Sequence, residues 1–318
     1  MNTRNIRFRS NRVRDIHTLY HEELDGIYGA GEVRVFLDML FEAFLGWDKV
    51  RLLTSKEQTI DQSDLLRFHW ALEDLKQYRP IQHIIGYTDF CDCRIDVSPD
   101  VLIPRTETEE IVNWIIKNFT FGSTGSPTTV HLSPFTILDL CTGSGCIAIA
   151  LKKSFPQAAV TAVDISDKAL ALTKQNAEHN ATDITFLHAD VLDPQFSIFL
   201  PESKGGTACD RSGANFQFSI IISNPPYVRE SERAQINRNV LDYDPDLALF
   251  VPDDDPLRFY RAIATIAKKH LTKDGLVVVE INEAYADETC ELLRKKGFQP
   301  EVHIDFRGKS RWITAKYK

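Results

Sequence analysis

Apolar positions along the first 80 residues recur at helical spacing. Val33, Leu37, Leu40, Phe41 and Phe44 form one stripe, and Leu65, Phe68, Leu72 and Leu75 form another. Gly46 and Pro80 predict helix stops. The period then shortens. Ile84, Ile85, Phe90, Ile95 and Val97, with Gly86 and Pro99 as punctuation, predict extended chain and a short hairpin over residues 81–103. A helix is expected from Glu107, with Ile111, Trp114 and Ile115 on one face.

Beyond the Gly/Ser/Thr/Pro-rich stretch 122–129, strands and helices alternate. Strands are expected at 136–140, 159–163, 184–187, 219–222 and 276–281. Helices are expected at 145–153, 168–178, 256–270 and 284–296, and two short extended runs lie around Val302 and Ile313. Such alternation argues a parallel, doubly wound α/β sheet. The polar stretch 201–217 reads as a surface insertion, with no role expected for its Cys209. The sequence contains no internal repeat.

Composition adds limits. A chain of 318 residues with 43% hydrophobic content has room for one large domain and a smaller one without disulfide staples. Its cysteines, Cys91, Cys93, Cys141, Cys146, Cys209 and Cys290, make no C-x-x-C pair, so reduced thiols and no metal site are expected. The longest apolar run, near Leu276, is strand-sized, far short of the roughly 20 residues that span a bilayer. Arg4, Arg7, Arg9, Arg12 and Arg14 are not followed by an apolar leader segment. A cytoplasmic protein without a membrane partner is the expectation. Net charge is −8, which argues against direct nucleic-acid binding, because phosphate contacts call for a basic surface. His17, His21 and His69 read as surface or packing residues.

Three motifs carry chemistry. The first, Asp139-Leu-Cys-Thr-Gly-Ser-Gly-Cys-Ile-Ala148, is a strand running into a glycine turn that opens a helix. Glycines let backbone approach a ligand closely, and the helix start favours a negative group. The same pattern also fits nicotinamide enzymes. Asp164, at the end of the next strand, can accept both hydroxyls of a ribose; the alternative is a cap for the helix near Lys168. Asp190 is placed where an adenine edge would lie, or is a plain loop carboxylate.

The third motif, Asn224-Pro225-Pro226-Tyr227, decides between readings. A chain of this size contains that tetrapeptide by chance on the order of once in a thousand. It follows a strand, where open α/β sheets bind ligands. An amide nitrogen is a poor nucleophile, because its lone pair is delocalised. Acceptors aimed at its two N–H groups stabilise the charge that develops on methylation. The Asn224 side-chain oxygen and the Pro225 carbonyl can be those acceptors, with the carbonyl preoriented by the prolines. The Tyr227 face can pack on the planar group. Transfer of a methyl group from S-adenosylmethionine to a planar nitrogen is therefore expected.

The glycine loop combined with Asn-Pro-Pro-Tyr resembles the amino/amide methyltransferases. Pro80-Ile-Gln-His-Ile-Ile-Gly86, Val101-Leu-Ile-Pro-Arg105, Glu107-Thr-Glu109 and Asp244-Pro-Asp-Leu-Ala-Leu249 narrow the resemblance to the peptide chain release factor glutamine methyltransferases, over roughly residues 80–318. That resemblance implies a Rossmann-like class I methyltransferase sheet, and a helical domain (1–80) joined by a β-hairpin linker (81–105) to the catalytic domain (106–318). It implies S-adenosylmethionine held by Cys141, Thr142, Gly143, Ser144, Gly145, Asp164, Asp190, Val191 and Asn224, with S-adenosylhomocysteine as product and no metal. It implies that Asn224, Pro225, Pro226 and Tyr227 hold the glutamine of the Gly-Gly-Gln loop of class I release factors, which the N-terminal helices grip. Cys141 and Val191 depart from the family pattern, which has Gly at the first position and, in some members, an aromatic residue at the second. Thr106 stands in place of its proline, and the role of Arg105 is open.

Rival readings are a glutamine methyltransferase of a large-subunit ribosomal protein, a DNA adenine-amino methyltransferase, a noncatalytic docking protein and a nicotinamide dehydrogenase. The last leaves Asn224 to Tyr227 without a role, and the DNA enzyme calls for a basic groove that the sequence lacks.

Overall fold

The computed structural model describes residues 8–121, 135–196 and 217–317. The expected loop 122–129, most of the polar insertion with Cys209, and Arg4 and Arg7 lie outside the described residues.

Five helices open the chain: α1 (Val13–Tyr28), α2 (Ala30–Leu45), α3 (Lys49–Thr54), α4 (Gln62–Lys76) and α5 (Ile81–Ile85). A hairpin follows, β1 (Tyr87–Phe90) with β2 (Cys93–Asp96), and then α6 (Thr106–Phe121). Next come β3 (Thr136–Leu140), α7 (Cys146–Ser154), β4 (Ala159–Asp164), α8 (Asp167–His179), β5 (Thr185–His188) and β6 (Phe218–Ser223). Short elements β7 (Val228–Arg229), α9 (Arg238–Leu241), α10 (Asp246–Leu249) and β8 (Phe250–Val251) lead to α11 (Arg258–His270), β9 (Leu271–Glu280), α12 (Ala286–Lys295), β10 (Phe298–Ile304) and β11 (Ser310–Tyr317).

These elements form two compact units. One comprises the chain up to Gly86 together with Asn237–Tyr243. Its core is the pair of helical stripes seen in the sequence, with Leu37, Leu40, Phe41, Phe68 and Leu75 fully buried. Gly46 ends α2 in the left-handed conformation, at φ 65°. His17 stacks on Phe41, and burial lowers its pKa to about 4, so it serves packing. Residues 81–85 correct the expectation of extended chain. Pro80 caps the start of α5 instead of stopping a helix, because its fixed φ suits a helix entry, and Gly86 closes the turn at φ 90°. Ile81 then points into the helical core.

The second unit holds Tyr87–Ile236 and the residues from Asp244 onward. Its seven-stranded sheet has the order β10-β11-β9-β6-β3-β4-β5. Strands β9, β6, β3, β4 and β5 are parallel, whereas β11 is antiparallel to both β9 and β10. The sheet is therefore mixed, not wholly parallel; the β10–β11 link, residues 305–309, is too short for a crossover. Every residue of β3 and β6 is buried, as expected for strands covered on both faces. After β5 the chain returns to the other side of β3, so strand order reverses beside β3, where ligands bind in open α/β sheets.

Candidate active site

The carboxyl ends of β3, β4 and β6 deliver three of the motifs to one cavity of about 310 Å³. Its wall includes Cys141, Thr142, Gly143, Ser144, Asp164, Asp190, Val191, Asn224 and Pro226. Gly145, Pro225 and Tyr227, also singled out in the sequence, do not line it.

The glycine loop is held from behind. Cys141 adopts φ 60° and Gly143 φ 57°, both left-handed. A side-chain carbon added to Gly143 would meet nothing within 4 Å, so its backbone is open to the cavity. Gly145 is different, because the same addition would lie 2.4 Å from Thr173 Cγ2 of α8. The Thr173 hydroxyl lies 2.8 Å from the Gly143 carbonyl. Asn176, one turn further along α8 and fully buried, donates from Nδ2 to the carbonyls of Ser144 and Asp96 and accepts from the Asp96 N–H. One satisfied amide thus joins loop and hairpin. Nothing in the sequence singled out Thr173 or Asn176; each looks like an ordinary helix position.

Asp164 is not the cap of α8. Ser166 is, accepting from the Ala169 N–H at 3.2 Å. The two Asp164 oxygens accept from the N–H groups of Gly143 and Ser166, each at 2.9 Å, and burial raises its pKa. Behind it, Asp139 is fully buried, accepts from the Thr142 hydroxyl, and is pushed up to about 7 by desolvation. Asp190 accepts from the Leu192 N–H at 2.8 Å while Val191 packs in the core beneath the cavity. Burial also pushes the Cys141 thiol up, away from thiolate chemistry.

Residues 29–86 match the PrmC N-terminal domain, and residues 137–199 match a methyltransferase domain. The release factor glutamine methyltransferase of Flavobacterium psychrophilum is 39% identical over 308 residues, covering 96% of this chain and 99% of that one. Its counterpart in Bacteroides thetaiotaomicron is 37% identical over 92% of this chain and 96% of its own, and that of Lactococcus lactis 33% over 85% and 89%. The chain belongs to the release factor glutamine methyltransferases.

In this family member the Asn-Pro-Pro-Tyr segment is tied to two residues that the sequence reading did not assign. Asn224 Nδ2 donates to Thr108 Oγ1 at 3.2 Å. Thr108 in turn donates to Glu280 Oε2 at 2.7 Å, and the Tyr227 hydroxyl donates to Glu280 Oε1 at 3.0 Å. Tyr227 is thus held by its hydroxyl against the end of β9. Arg105 lines the cavity and donates to the buried carboxylate of Asp244. The Glu-Thr-Glu stretch thus supplies Thr108 and the Asp-Pro-Asp-Leu stretch Asp244, while Glu280 comes from the end of β9. Among the described residues no group of His, Cys, Asp and Glu side chains could hold a metal, and no helix is long and apolar enough to cross a membrane.

Proposed function

We propose that this enzyme transfers a methyl group from S-adenosylmethionine to the side-chain amide nitrogen of the glutamine in the Gly-Gly-Gln motif of class I peptide chain release factors. One observation carries the reading. Asn224 lines the cavity with its Nδ2 committed to Thr108, which leaves its carbonyl oxygen as the acceptor for a substrate N–H.

The residues present suit the cofactor. Gly143 offers open backbone, Asp164 a cavity-lining carboxylate anchored on the Gly143 N–H, and Asp190 and Val191 a further part of the wall. The start of α7, nine residues long, favours the negative end of an amino acid. When bound, S-adenosylmethionine supplies an electrophilic methyl on a sulfonium. The amide nitrogen gains positive charge as it takes that methyl, the old bond's electrons stay on sulfur, and the amide proton leaves afterwards. Asn224 Oδ1, on the cavity wall, stabilises the charge and fixes the line of attack. Tyr227, off the cavity wall, is held by its hydroxyl on Glu280 and steadies the segment that carries Asn224. Asp139, fully buried, and Cys141, whose thiol is pushed up, play no part as bases. The N-terminal helices grip the release factor.

Incubation with an unmethylated release factor and S-adenosylmethionine, followed by mass spectrometry of the Gly-Gly-Gln peptide, tests the proposal. One methyl on the glutamine, lost with Asn224→Ala, is expected. Its absence with the wild-type enzyme, with cofactor binding verified by calorimetry, overturns the substrate assignment.

A further inference from the structure

Asn224 works only one way round. Its carbonyl oxygen stabilises a substrate N–H, whereas its NH₂ group, turned to the same point, opposes it. The two ends have nearly the same size, so shape does not select between them. Something polar must.

The selector sits at the end of β9. Ser223, the last residue of β6, pairs with Val279 of β9, so Asn224, just past β6, follows beside Glu280, the last residue of β9, which itself pairs with Trp312 of β11. Glu280 is 2% exposed, and Thr108, reaching it from α6, is equally buried. An ionised carboxylate has no proton to give. Both of its hydroxyl partners, Thr108 and Tyr227, therefore donate to it. A hydroxyl has a single proton. Once Thr108 has given its own to Glu280, it faces Asn224 only with lone pairs, and Asn224 must turn its Nδ2 toward it. The carbonyl end then points the other way. Burial raises the pKa of Glu280 and opposes its charged form, whereas the hydroxyl hydrogen bonds from Thr108 and Tyr227 and the charge of Arg311 favour that form.

We propose that Glu280 is a positioning residue for the methyl transfer: through the Thr108 hydroxyl it sets the orientation of the Asn224 amide, and through the Tyr227 hydroxyl it holds the other end of the same segment. This rests on the role given above to Asn224. It places the determinant of the site's polarity on a side chain absent from the cavity wall, 172 residues from Thr108.

The experiment compares Glu280→Gln, Thr108→Val and Thr108→Ser in the full chain by two readouts. The first is kcat and KM on an unmethylated release factor, with S-adenosylmethionine affinity by calorimetry. Expected is a fall in kcat of tenfold or more for Glu280→Gln and Thr108→Val, cofactor affinity within threefold of wild type, and recovery of most turnover by Thr108→Ser. The second is the side-chain NH₂ signal of Asn224 in asparagine-labelled protein, identified by its loss in Asn224→Ala. It shifts in Glu280→Gln and Thr108→Val and stays near its place in Thr108→Ser. Melting curves exclude unfolded variants, and Thr108→Val serves if Glu280→Gln does not fold. An unmoved Asn224 signal, or wild-type kcat in both variants, overturns the proposal. A wild-type enzyme that leaves the release factor unmethylated overturns the substrate assignment instead, and the Asn224 signal still decides the role of Glu280.

Discussion

Thr173 fills the space that a side chain on Gly145 would need, its Cγ2 lying 2.4 Å from that position. The glycine that opens α7 is therefore required by packing and by its φ of 81°, not by the cavity. Gly145→Ala combines a left-handed cost of about 1–2 kcal/mol with a clash worth about 1–3 kcal/mol. Thermal melting should show a loss of at least about 2 kcal/mol. Adding Thr173→Ser removes the clashing methyl and should recover part of it. A melting temperature equal to wild type in Gly145→Ala would refute this account.

That glycine also marks how far sequence reading reaches. The central strands β3 and β6 are legible because they are buried on both faces and carry β-branched residues, and the loop and Asn-Pro-Pro-Tyr because each is contiguous. Residues 81–85 mislead, since two adjacent isoleucines look alike in a strand and in a single helical turn; only the Pro80 entry and Gly86 exit distinguish them. Thr108, Asn176 and Glu280 are invisible for another reason. Their partners come from distant parts of the chain, and a Thr, Asn or Glu with none of those partners is an ordinary surface residue.

Asp164→Asn should weaken S-adenosylmethionine binding by about 10–100-fold, the scale of one charge-assisted hydrogen-bond set. Its neighbours Gly143 and Ser166 would share a single remaining acceptor, so the loop loosens as well. Calorimetric titration gives the affinity. A change of less than threefold removes the ribose role from Asp164.

Asp139 predicts a pH dependence. Its folded pKa of about 7 lies above the ordinary 3.8, so the folded chain binds the proton more tightly. The stability this contributes is complete below pH 4 and is lost as pH rises through 7. Asp139→Asn lacks that slope. Plots of unfolding free energy against pH for the two proteins should therefore converge toward the variant's favour between pH 4 and pH 7.5; parallel plots would show that Asp139 is already ionised at pH 4.

Arg105→Ala strands the Asp244 carboxylate, which is wholly buried and whose pKa burial raises to about 6. Removing one partner of a fully buried pair costs about 3–5 kcal/mol, and the partial exposure of Arg105 reduces this to about 2 kcal/mol. Without the guanidinium, Asp244 rises further and takes a proton more readily. The deficit should therefore be larger at pH 8 than at pH 5 in chemical denaturation. An equal deficit at both values would assign the loss to packing of the arginine stem.

Asn237–Tyr243 belongs to the helical unit although both of its flanks belong to the catalytic one. Within that unit the Tyr243 hydroxyl donates to the Gln77 carbonyl and the Arg238 guanidinium lies over the Tyr78 ring. The boundary is consequently crossed three times by one polypeptide. A gene cut once, after Gly86, does not yield two modules: the first product lacks seven of its residues, and the second carries them as a foreign loop. Transplanting the helical unit onto another transferase, by recombination or by design, must move two separate stretches of code together, so the pair is inherited as one piece.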